Sequence, residues 1–478
     1  MGIFQQTSMK NPSRRQFLKT TLGGAAGLLL LPVIRPTRLL GAEAPSRKIQ
    51  IAQIGCGRMG RSDLGNVLTE PLARVVAVCD VDARRLAAGQ GMVEEYYARS
   101  GEAGVKVQTF ADYHDVLASP AVDAVIITVP DHSHALIAIE AAIAGKHIYV
   151  QKPVTYSIAE AIALRRTVEA KKIILQTGSQ QRSERPWRSF RRASEAVRNG
   201  RIGQLRTIKI GIGLDTASGR KPHPAPAPAN LNYEHWLGAA PEQPYVEDRV
   251  HPQDSLGGRP GWITTEDFGL GMITNWGAHH VDIAQWAMGQ ELGGPLTVDA
   301  RAEFPVNDER TVHTTYHVEM GYPQQVRLIL DNHFATGLRF EGDEGWVFCT
   351  RSEDISADDN PNVSFSRESR LPLQASDPKI LAPLDEHAIR WQPSKSHYGN
   401  WLESIAANRQ PIAPIQQSAR SLEACCAAWI SMKLQRPLAW DAATESFTGD
   451  AAANALRGRP ARKPEYDHAL AMKRAGIA

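Results

Sequence analysis

The sequence predicts an α/β protein in which an N-terminal doubly wound parallel sheet is followed by an α+β domain built on a mostly antiparallel sheet. Short apolar runs alternate with helical segments from residue 49 to residue 176, and residues 123–129, DAVIITV, contain an almost continuous apolar run, as in strands buried on both faces. From about residue 205 the strands become longer, several alternate between apolar and polar residues, and helices become sparse.

Length and charge set limits on the function. The chain has 478 residues, enough for two or three domains. Its net charge is +3, but the first 44 residues carry six basic residues and one acid, so the remainder is slightly negative and gives no reason to expect a nucleic-acid partner. The five cysteines show neither a disulfide framework nor zinc-ligand spacing.

The first 44 residues have the pattern of an export signal. Residues 13–19, SRRQFLK, match a twin-arginine motif, and the apolar run that follows is too short for a good membrane span. The motif predicts transport through the twin-arginine translocase to the periplasm. Two outcomes stay open, cleavage near Ala42-Glu43-Ala44 and an uncleaved leader that anchors the protein to the membrane.

The first βαβ unit, residues 48–80, carries a dinucleotide-binding pattern. A glycine-rich turn follows a buried strand and opens a helix, and a second strand ends in Asp80. We expect Gly55 to make the turn, Gly57 to admit a pyrophosphate and Gly60 to pack the helix closely, while Asp80 accepts hydrogen bonds from ribose hydroxyls. Later strands end at the same edge. The predicted cofactor residues are Gly55, Gly57, Arg58, Met59, Gly60, Asp80, Pro130, His134 and Lys152.

The leader and the nucleotide fold together predict a tightly held cofactor. Nicotinamide cofactors are made in the cytoplasm, so a protein that works outside must carry its cofactor out already folded around it, as the twin-arginine route allows. Folding in a reducing compartment also fits the absence of a cysteine framework.

Two stretches contain candidate catalytic groups. Lys152 follows a strand at the cofactor crevice, where it could take the proton of a substrate hydroxyl; the alternative is an ordinary solvated lysine. In residues 269–286, His279 and Asp282 share one helix face, which predicts a carboxylate beside an imidazole. A metal site there lacks a third ligand, and the pair His132 and His134 is better explained as a loop and helix start.

Two further segments leave alternatives open. Residues 182–201 contain seven arginines, which favours a solvated helix face, with Arg182 alone as a candidate substrate contact. The proline- and alanine-rich residues 221–230 can be neither helix nor central strand, so they form either a stiff arm or lid, or a plain linker.

Four segments give the chain its resemblance to the glucose–fructose oxidoreductase / inositol dehydrogenase / MocA (Gfo/Idh/MocA) family: GCGRMG, VVAVCDVD, VIITVPDHSHALIAIEAAIAGKHIYVQKP and NWGAHHVDIAQW. The resemblance covers residues 47–445. It implies a Rossmann domain at 47–178, a second domain with a large open sheet at 179–445, and a tail at 446–478. It also implies bound NAD or NADP, redox chemistry on sugars, cyclic polyols or their derivatives, and homo-oligomers packed through the open sheet face.

The same resemblance implies roles for particular residues. The lysine of the family's E-K-P motif maps to Lys152 and the catalytic histidine to His279, with Asn275 in the same catalytic group. Gln181, Arg182 and His280 are assigned to the substrate. No metal is expected.

Two departures from the family pattern concern the acids. The E-K-P glutamate is Gln151 here, and Asn275 stands where many members have an aspartate. An amide cannot take a proton, so we expect Lys152 to have a lowered pKa and to act as the base itself, with His279 orienting the hydroxyl or relaying its proton. The alternative is a subfamily with altered or lost dehydrogenase chemistry.

Cofactor choice and reaction type stay partly open. Asp80 would repel a 2′-phosphate and favours NAD, whereas Arg84 and Arg85 could accommodate NADP. The leading hypothesis is an exported NAD(P)-dependent oxidoreductase. One alternative is a glycoside-cleaving enzyme that works through a transient keto-sugar, and the other is a non-catalytic member that retains the fold.

Overall fold

The computed structural model describes residues 48–351 and 372–477. The predicted leader at 1–44 lies outside the described residues, and so does the first part of the polar segment predicted to be irregular at 352–393. Among the residues that are described, no helix is long and apolar enough to cross a membrane.

Six parallel strands form the N-terminal sheet, in the order β3-β2-β1-β4-β5-β6. The strands are β1 (Ile49–Ile54), β2 (Ala73–Cys79), β3 (Gln108–Phe110), β4 (Ala124–Ile127), β5 (His147–Val150) and β6 (Leu175–Thr177). The connecting helices are α1 (Arg58–Val67), α2 (Ala83–Arg99), α3 (Tyr113–Ala118), α4 (Asp131–Ile143) and α5 (Ile158–Lys171). The predicted doubly wound sheet is confirmed, and its strand order changes direction between β1 and β4, where ligands bind in such folds.

Local sequence explains where these helices begin. Ser157 and Glu160 form a capping box at the start of α5, in which the side chain of each residue accepts a hydrogen bond from the backbone N–H of the other. Asp82 caps α2 by accepting hydrogen bonds from the Arg84 and Arg85 N–H groups. Helix α4 begins at Asp131, because Pro130 directly precedes it and fixes the entry of the chain.

Nine strands form the second sheet, in the order β13-β12-β11-β7-β10-β9-β8-β14-β15. Within it, β7 and β10 pair in parallel and the other neighbours are antiparallel. The strands are β7 (Leu205–Gly211), β8 (Thr297–Ala302), β9 (Tyr316–Gly321), β10 (Arg327–Asp331), β11 (Gly337–Gly342), β12 (Trp346–Cys349), β13 (Leu373–Ala375), β14 (Leu438–Asp441) and β15 (Ser446–Phe447). The predicted mostly antiparallel domain is confirmed, although β13 to β15, of two to four residues each, were not predicted.

Further helices follow residue 187, some packed on one face of this second sheet and some on the first domain. They are α6 (Arg188–Arg198), α7 (Tyr233–Leu237), α8 (Met272–Asn275), α9 (Gly277–Met288), α10 (His397–Ala407), α11 (Ile415–Leu434), α12 (Ala451–Ala455) and α13 (His468–Arg474). Helix α11 packs on β8, α9 on β7 and α6 on β12. Along β8, Val298 and Ala300 are buried whereas Thr297, Asp299 and Arg301 are exposed, so the opposite face is open.

A segment of the second domain returns to the nucleotide fold. Leu231, Trp236 and Phe268 form a small apolar cluster against Val81, just past β2. Asn230 accepts a hydrogen bond from the Ala83 N–H through its backbone oxygen, at 2.9 Å. The proline- and alanine-rich stretch therefore ends on the first domain, at the edge where the parallel strands end.

Candidate functional site

One cavity of about 800 Å³ lies at the carboxyl ends of the parallel strands. Both domains line it. The predicted site residues that line it are Gly55, Gly57, Arg58, Met59, Asp80, Pro130, His134, Lys152, Asn275 and His279. The structure therefore brings the predicted cofactor and catalytic groups to one place, apart from Gly60, which lies beneath the turn.

The three glycines occupy different environments in the turn between β1 and α1. Gly55 has φ +89°, and a Cβ there would lie 2.3 Å from the Thr128 backbone oxygen; a Cβ on Gly60 would lie 1.9 Å from the Gly55 oxygen. A Cβ on Gly57 would meet no atom within 4 Å, because this residue faces the cavity. Gly55 and Gly60 are needed for close packing, and Gly57 leaves space at the N-terminus of α1.

Asp80 is held in place beside this turn. Its two carboxylate oxygens accept hydrogen bonds from the Cys56 N–H at 2.7 Å and the Asp82 N–H at 2.8 Å. Burial raises the pKa of Asp80, while these hydrogen bonds act in the opposite direction. The carboxyl group therefore has a fixed orientation at the end of β2, next to the cavity.

Lys152 follows β5 and reaches across the cavity to the second domain. Its Nζ donates to both oxygens of Asn275, the backbone oxygen at 2.8 Å and Oδ1 at 2.9 Å. Asn275 ends α8, one turn before His279 on α9. The amine thus joins the nucleotide fold to the helix that carries the histidine.

His279 is neutral at ordinary pH. Burial, followed by the positive charges of Arg351 and Lys152, lowers its pKa well below the usual value. Its Nδ1 is buried and has no hydrogen-bond partner among the described residues. A neutral imidazole with an unused nitrogen can donate or accept one further hydrogen bond.

The predicted pairing of His279 with Asp282 is wrong. The Asp282 carboxylate instead accepts hydrogen bonds from Nε of Arg182 at 2.6 Å and from NH2 of Arg182 at 2.8 Å, with the Ser421 hydroxyl at 2.9 Å. The fully buried Arg182 also donates to the Ile412 oxygen at 3.0 Å. Neither member of this ion pair lines the main cavity, so Arg182 is placed to join segments of the fold and away from a substrate.

The other two predicted substrate residues also lie outside the cavity lining. His280 packs against Phe190 and Trp276, and burial lowers its pKa to about 3. Gln181 lies beneath the site; in the amide orientation that satisfies both of its atoms, it donates to the His279 oxygen and accepts from Nε of Arg351. Gln181 therefore supports the start of α9, the helix that carries His279.

Gln151 has an acidic partner that the sequence did not reveal. Its amide donates to both carboxylate oxygens of Asp63, at 2.9 and 3.1 Å. Asp63, on α1, also accepts from the hydroxyls of Thr128 and Tyr398, each at 2.6 Å. Burial raises the pKa of Asp63 to about 6, and these hydrogen bonds limit the rise. A glutamate at position 151 would face this second buried carboxyl.

Asp131 is a further acid in the cavity that the sequence reasoning missed. It is the first residue of α4, its side chain is 6% exposed, and it lines the cavity together with Lys152. Burial raises the pKa of Asp131 to about 7, and the charge of Lys152 acts to lower it. Its place shortly after β4, at the edge where the parallel strands end, was the available signal.

The two histidines of α4 bond to backbone oxygens. Nδ1 of His134 lies 2.7 Å from the Pro153 oxygen and Nε2 lies 2.9 Å from the Val129 oxygen, while Nε2 of His132 lies 2.9 Å from the Trp236 oxygen. Burial lowers the pKa of His134 to about 4 and that of His132 to about 3. In the described part of the chain, no group of three or more His, Cys, Asp or Glu side chains could hold a metal ion.

A strap from the second domain, residues 251–260, crosses the first domain beside the cavity. His251 pairs with Asp82 at 2.9 Å, and NH2 of Arg61 donates to the Leu256 oxygen at 2.7 Å. Burial would raise the pKa of Asp82, but the hydrogen bond from His251 and the charge of Arg85 hold it well below its usual range. Leu256, Gly258 and Arg259 line the cavity. The sequence has no local signal for these contacts, which join residues 169 and 195 positions apart.

Together the fold and the site define a dinucleotide-binding α/β protein with a cluster of polar and titratable groups at the carboxyl edge of the sheet. Residues 49–179 match the model of an oxidoreductase family with an NAD-binding Rossmann fold, and residues 216–364 match the model of that family's C-terminal alpha/beta domain. The two matches span more than half of the chain, which belongs to the Gfo/Idh/MocA oxidoreductase family.

Individual proteins are similar over different lengths. The chain is 30% identical to myo-inositol 2-dehydrogenase of Thermotoga maritima over 162 residues, which is 34% of this chain and 44% of that protein. It thus matches less than half the length of this curated relative.

Two solved structures share the fold over most of their length. The WlbA dehydrogenase of Bordetella pertussis, solved with NADH and UDP-GlcNAcA, is 16% identical with a TM-score of 0.56, covering 83% of this chain and 99% of that one. The aldose-aldose oxidoreductase of Caulobacter crescentus, solved with glycerol, is 18% identical with a TM-score of 0.56, covering 82% and 100%.

Proposed function

We propose that this protein is an NAD-dependent oxidoreductase that oxidises or forms a CH–OH group of a sugar, cyclic polyol or derivative. The observation that carries the proposal is that Lys152 and His279 line the same cavity as the glycine turn and Asp80. A substrate bound in this cavity would have Lys152 and His279 on one side of its reacting carbon and the nucleotide site on the other.

The cavity fits a dinucleotide. The space beside Gly57 would take the pyrophosphate, and the first turn of α1 has no side-chain cap in the described chain, so its N–H groups can bind an anion. Met59 is 44% exposed, an apolar surface that a bound nucleotide would cover. When bound, an oxidised nicotinamide accepts the hydrogen of the substrate carbon with its two electrons.

Contacts near Asp80 favour NAD over NADP. The carboxyl group stands where a 2′-phosphate would need positive charge. Arg85 is already engaged by Asp82 at 3.1 Å and by the Pro252 oxygen at 3.0 Å, and Arg84 donates to the Gln253 oxygen. Both arginines that could accept a phosphate are therefore used to hold the strap.

Lys152 and His279 have complementary tasks in this proposal. The Lys152 amine, oriented by Asn275, would accept the proton of the substrate hydroxyl. The neutral His279 would bind the same oxygen and orient it, since its low pKa keeps it from becoming an imidazolium at neutral pH.

The lining of the cavity supports a carbohydrate-like substrate. Trp187, Trp262 and Trp276 contribute indole surfaces and Gln180 an amide, which suits a ring that has apolar faces and hydroxyl edges. The curated relatives named inositol 2-dehydrogenases act on compounds of this kind.

Export with a bound cofactor is the second part of the proposal. The twin-arginine motif at 13–19 would send the folded protein to the periplasm. The leader would then either be cleaved or remain as a membrane anchor. All five cysteines are buried and unpaired, which fits folding in the cytoplasm, and the strap at 251–260 would slow release of the nucleotide. We also propose homo-oligomers through the open sheet face.

Turnover of candidate substrates tests the proposed reaction. Purified protein is mixed with sugars, inositols and glycosides, and the reduced-nicotinamide absorbance is followed in wild type and in Lys152→Met. We expect an increase with at least one sugar or polyol, and a rate about 10² to 10⁴-fold lower in Lys152→Met, the usual contribution of a general base. Equal rates would contradict the role of Lys152, and sugar release without net reduction would indicate glycoside cleavage instead.

A further inference from the structure

The two amides of the site leave open which group receives the proton from Lys152. Gln151 is turned toward Asp63, and Asn275 presents two neutral oxygens to Nζ of Lys152. Neither residue can accept a proton. A relay through Lys152 therefore needs a carboxyl group from another position in the fold.

Asp131 lies in the part of the fold where such a carboxyl group is needed. It follows β4 by four residues and Lys152 follows the neighbouring β5 by two, so both residues leave adjacent strands at the same edge of the sheet and line the same cavity. Its carboxyl lies close to Gly269, where a Cβ would come within 3.2 Å of Oδ2, and it is buried. Lys152 is the one charged group that acts on it appreciably among the described residues.

We propose that Asp131 is the proton-accepting partner of Lys152 in the reaction proposed above, and that it replaces the acids that positions 151 and 275 lack. During oxidation the substrate C–H bond breaks and its hydrogen leaves with both electrons to the oxidised nicotinamide. The O–H bond breaks, Nζ of Lys152 takes that proton as it passes one of its own to the Asp131 carboxylate, and a carbonyl group and a protonated Asp131 remain. Asp131 is thus a positioning residue that acts through Lys152.

The protonation states of the surrounding groups support this assignment. Asp131, with its pKa raised by burial to about 7, exchanges its proton near neutral pH. The other titratable groups on which Lys152 acts are His134 and His279. Burial lowers the pKa of His134 to about 4 and that of His279 well below its usual value, so neither holds an extra proton at pH 7.

The test measures the reactivity of Lys152 without turnover. Full-length protein, as purified, is labelled with trace acetic anhydride between pH 5 and 10, and acetylation of the Lys152 peptide is quantified by mass spectrometry. In wild type we expect the increase in labelling with pH to flatten near pH 7, because ionised Asp131 holds Lys152 protonated. In Asp131→Asn the increase should be continuous, with labelling at pH 8 about tenfold faster or more, the effect of losing a close opposite charge.

Asp215→Asn is the matched control. Asp215 is also a buried carboxyl with its pKa raised by burial, to about 6, but it pairs with Arg259 and accepts from the Met272 N–H, and it does not line the cavity. We expect its labelling profile to keep the flattening near pH 7. If Asp131→Asn fails to fold, the wild-type profile decides by itself, since a continuous increase there overturns the inference.

The outcomes separate this inference from the proposed function. An unchanged profile in folded Asp131→Asn overturns the role of Asp131 whatever the activity. A changed profile in a protein that binds no nucleotide overturns the proposed redox function and, with it, the proton relay. The electrostatic interaction between Asp131 and Lys152 would then still hold. If both hold, kcat for oxidation should lose its rise between pH 6 and 8 in Asp131→Asn, with KM little changed.

Discussion

Gly57 is the residue whose side chain would compete most directly with a bound nucleotide. Its φ of −66° is allowed for any residue, and a Cβ there meets no atom within 4 Å. We predict that Gly57→Leu folds with a free energy of unfolding within about 1 kcal/mol of wild type, as for a substitution that meets no neighbour, but is purified without nucleotide. Urea unfolding and nucleotide quantification measure the two effects.

Gly60 provides the contrasting control. A Cβ at this position would lie 1.9 Å from the Gly55 backbone oxygen, which cannot move without changing the turn. Gly60→Ala should therefore lose about 1–3 kcal/mol of stability, the usual range for overpacking. Full nucleotide occupancy in Gly57→Leu would contradict the position assigned to the pyrophosphate.

The pairing of Gln151 with Asp63 explains one departure from the family pattern. In Gln151→Glu, two carboxyl groups would share a buried site at hydrogen-bond distance, as the Gln151–Asp63 contacts of 2.9 and 3.1 Å indicate. We predict a loss of about 1–3 kcal/mol, the cost of an unsatisfied buried polar group, measured by urea unfolding at pH 8. The double variant Gln151→Glu/Asp63→Asn should recover most of it; additive losses would show that the two positions are not coupled.

Residues with a local role could be predicted from the sequence, whereas their distant partners could not. The glycines, Asp80, Lys152 and His279 belong to short motifs with a mechanical reason for each residue type. The partner of Asp282 is Arg182, a hundred positions away in the sequence. Helix periodicity could not show this contact and wrongly paired Asp282 with His279. Asp63 was missed because nothing in α1 shows that this carboxyl faces Gln151.

The buried pair of Arg182 and Asp282 connects separate elements. Arg182, in the 3-10 turn Gln180–Arg182, donates to the carboxylate of Asp282 on α9. The same carboxylate accepts a hydrogen bond from the Ser421 hydroxyl on α11. Asp282→Asn would leave a buried guanidinium without its charge partner, and we predict a loss of about 3–5 kcal/mol in urea unfolding. Unchanged stability with loss of substrate binding would instead favour a substrate role for Arg182.

The strap at residues 251–260 is the element that should control nucleotide release. His251 is buried against Asp82, and the neighbouring backbone oxygens of Pro252 and Leu256 accept hydrogen bonds from arginines of the first domain. We predict that His251→Ala loses its nucleotide faster on dialysis, by about tenfold for a lost charge-assisted hydrogen bond of about 1.5 kcal/mol. The exposed His333→Ala is the control, and equal dissociation rates in the two variants would contradict the role of the strap.

At the level of elements, strength of pattern decided what could be predicted. The parallel strands are short apolar runs, so their alternation with helices between residues 49 and 176 could be predicted. Strands β13 to β15 have two to four residues each and are defined by pairing with distant partners, which leaves no periodicity to detect.

Two sets of buried groups should oppose each other in the stability of the whole molecule at acidic pH. Histidines with lowered pKa stabilise fully above their unfolded pKa of about 6.5 and lose that contribution as the pH falls. Carboxyls with raised pKa increase the stability as the pH falls from their folded pKa values near 6 to 7 to the unfolded value of about 4. The histidines include His132, His134, His280, His313 and His397, and the carboxyls include Asp63, Asp131, Asp215 and Glu423.

These opposite contributions predict a shallow pH dependence followed by a steep loss. The free energy of unfolding should change little from pH 7 to 5, where the two sets compensate. It should fall sharply below about pH 4.5, where the carboxyl contribution is complete and the histidine contribution continues to decrease. Urea unfolding at a series of pH values measures this, and a steady loss beginning at pH 7 would contradict it.

The two-domain plan of the molecule followed from the sequence, but the way the domains share one site did not. The change of pattern near residue 205 predicted a second sheet. The return of the segment around Leu231 and of the strap to the first domain joins residues that are far apart in sequence, and such contacts have no local signature.

The nucleotide content of the purified full-length protein tests the central claim most directly. The protein is purified without added cofactor and denatured, and any released nucleotide is identified and quantified by mass spectrometry. We predict close to one NAD(H) per chain, retained because the strap and the glycine turn enclose it. Protein that emerges empty and binds neither NAD nor NADP when they are added would contradict the account and make a non-catalytic role for this fold the better explanation.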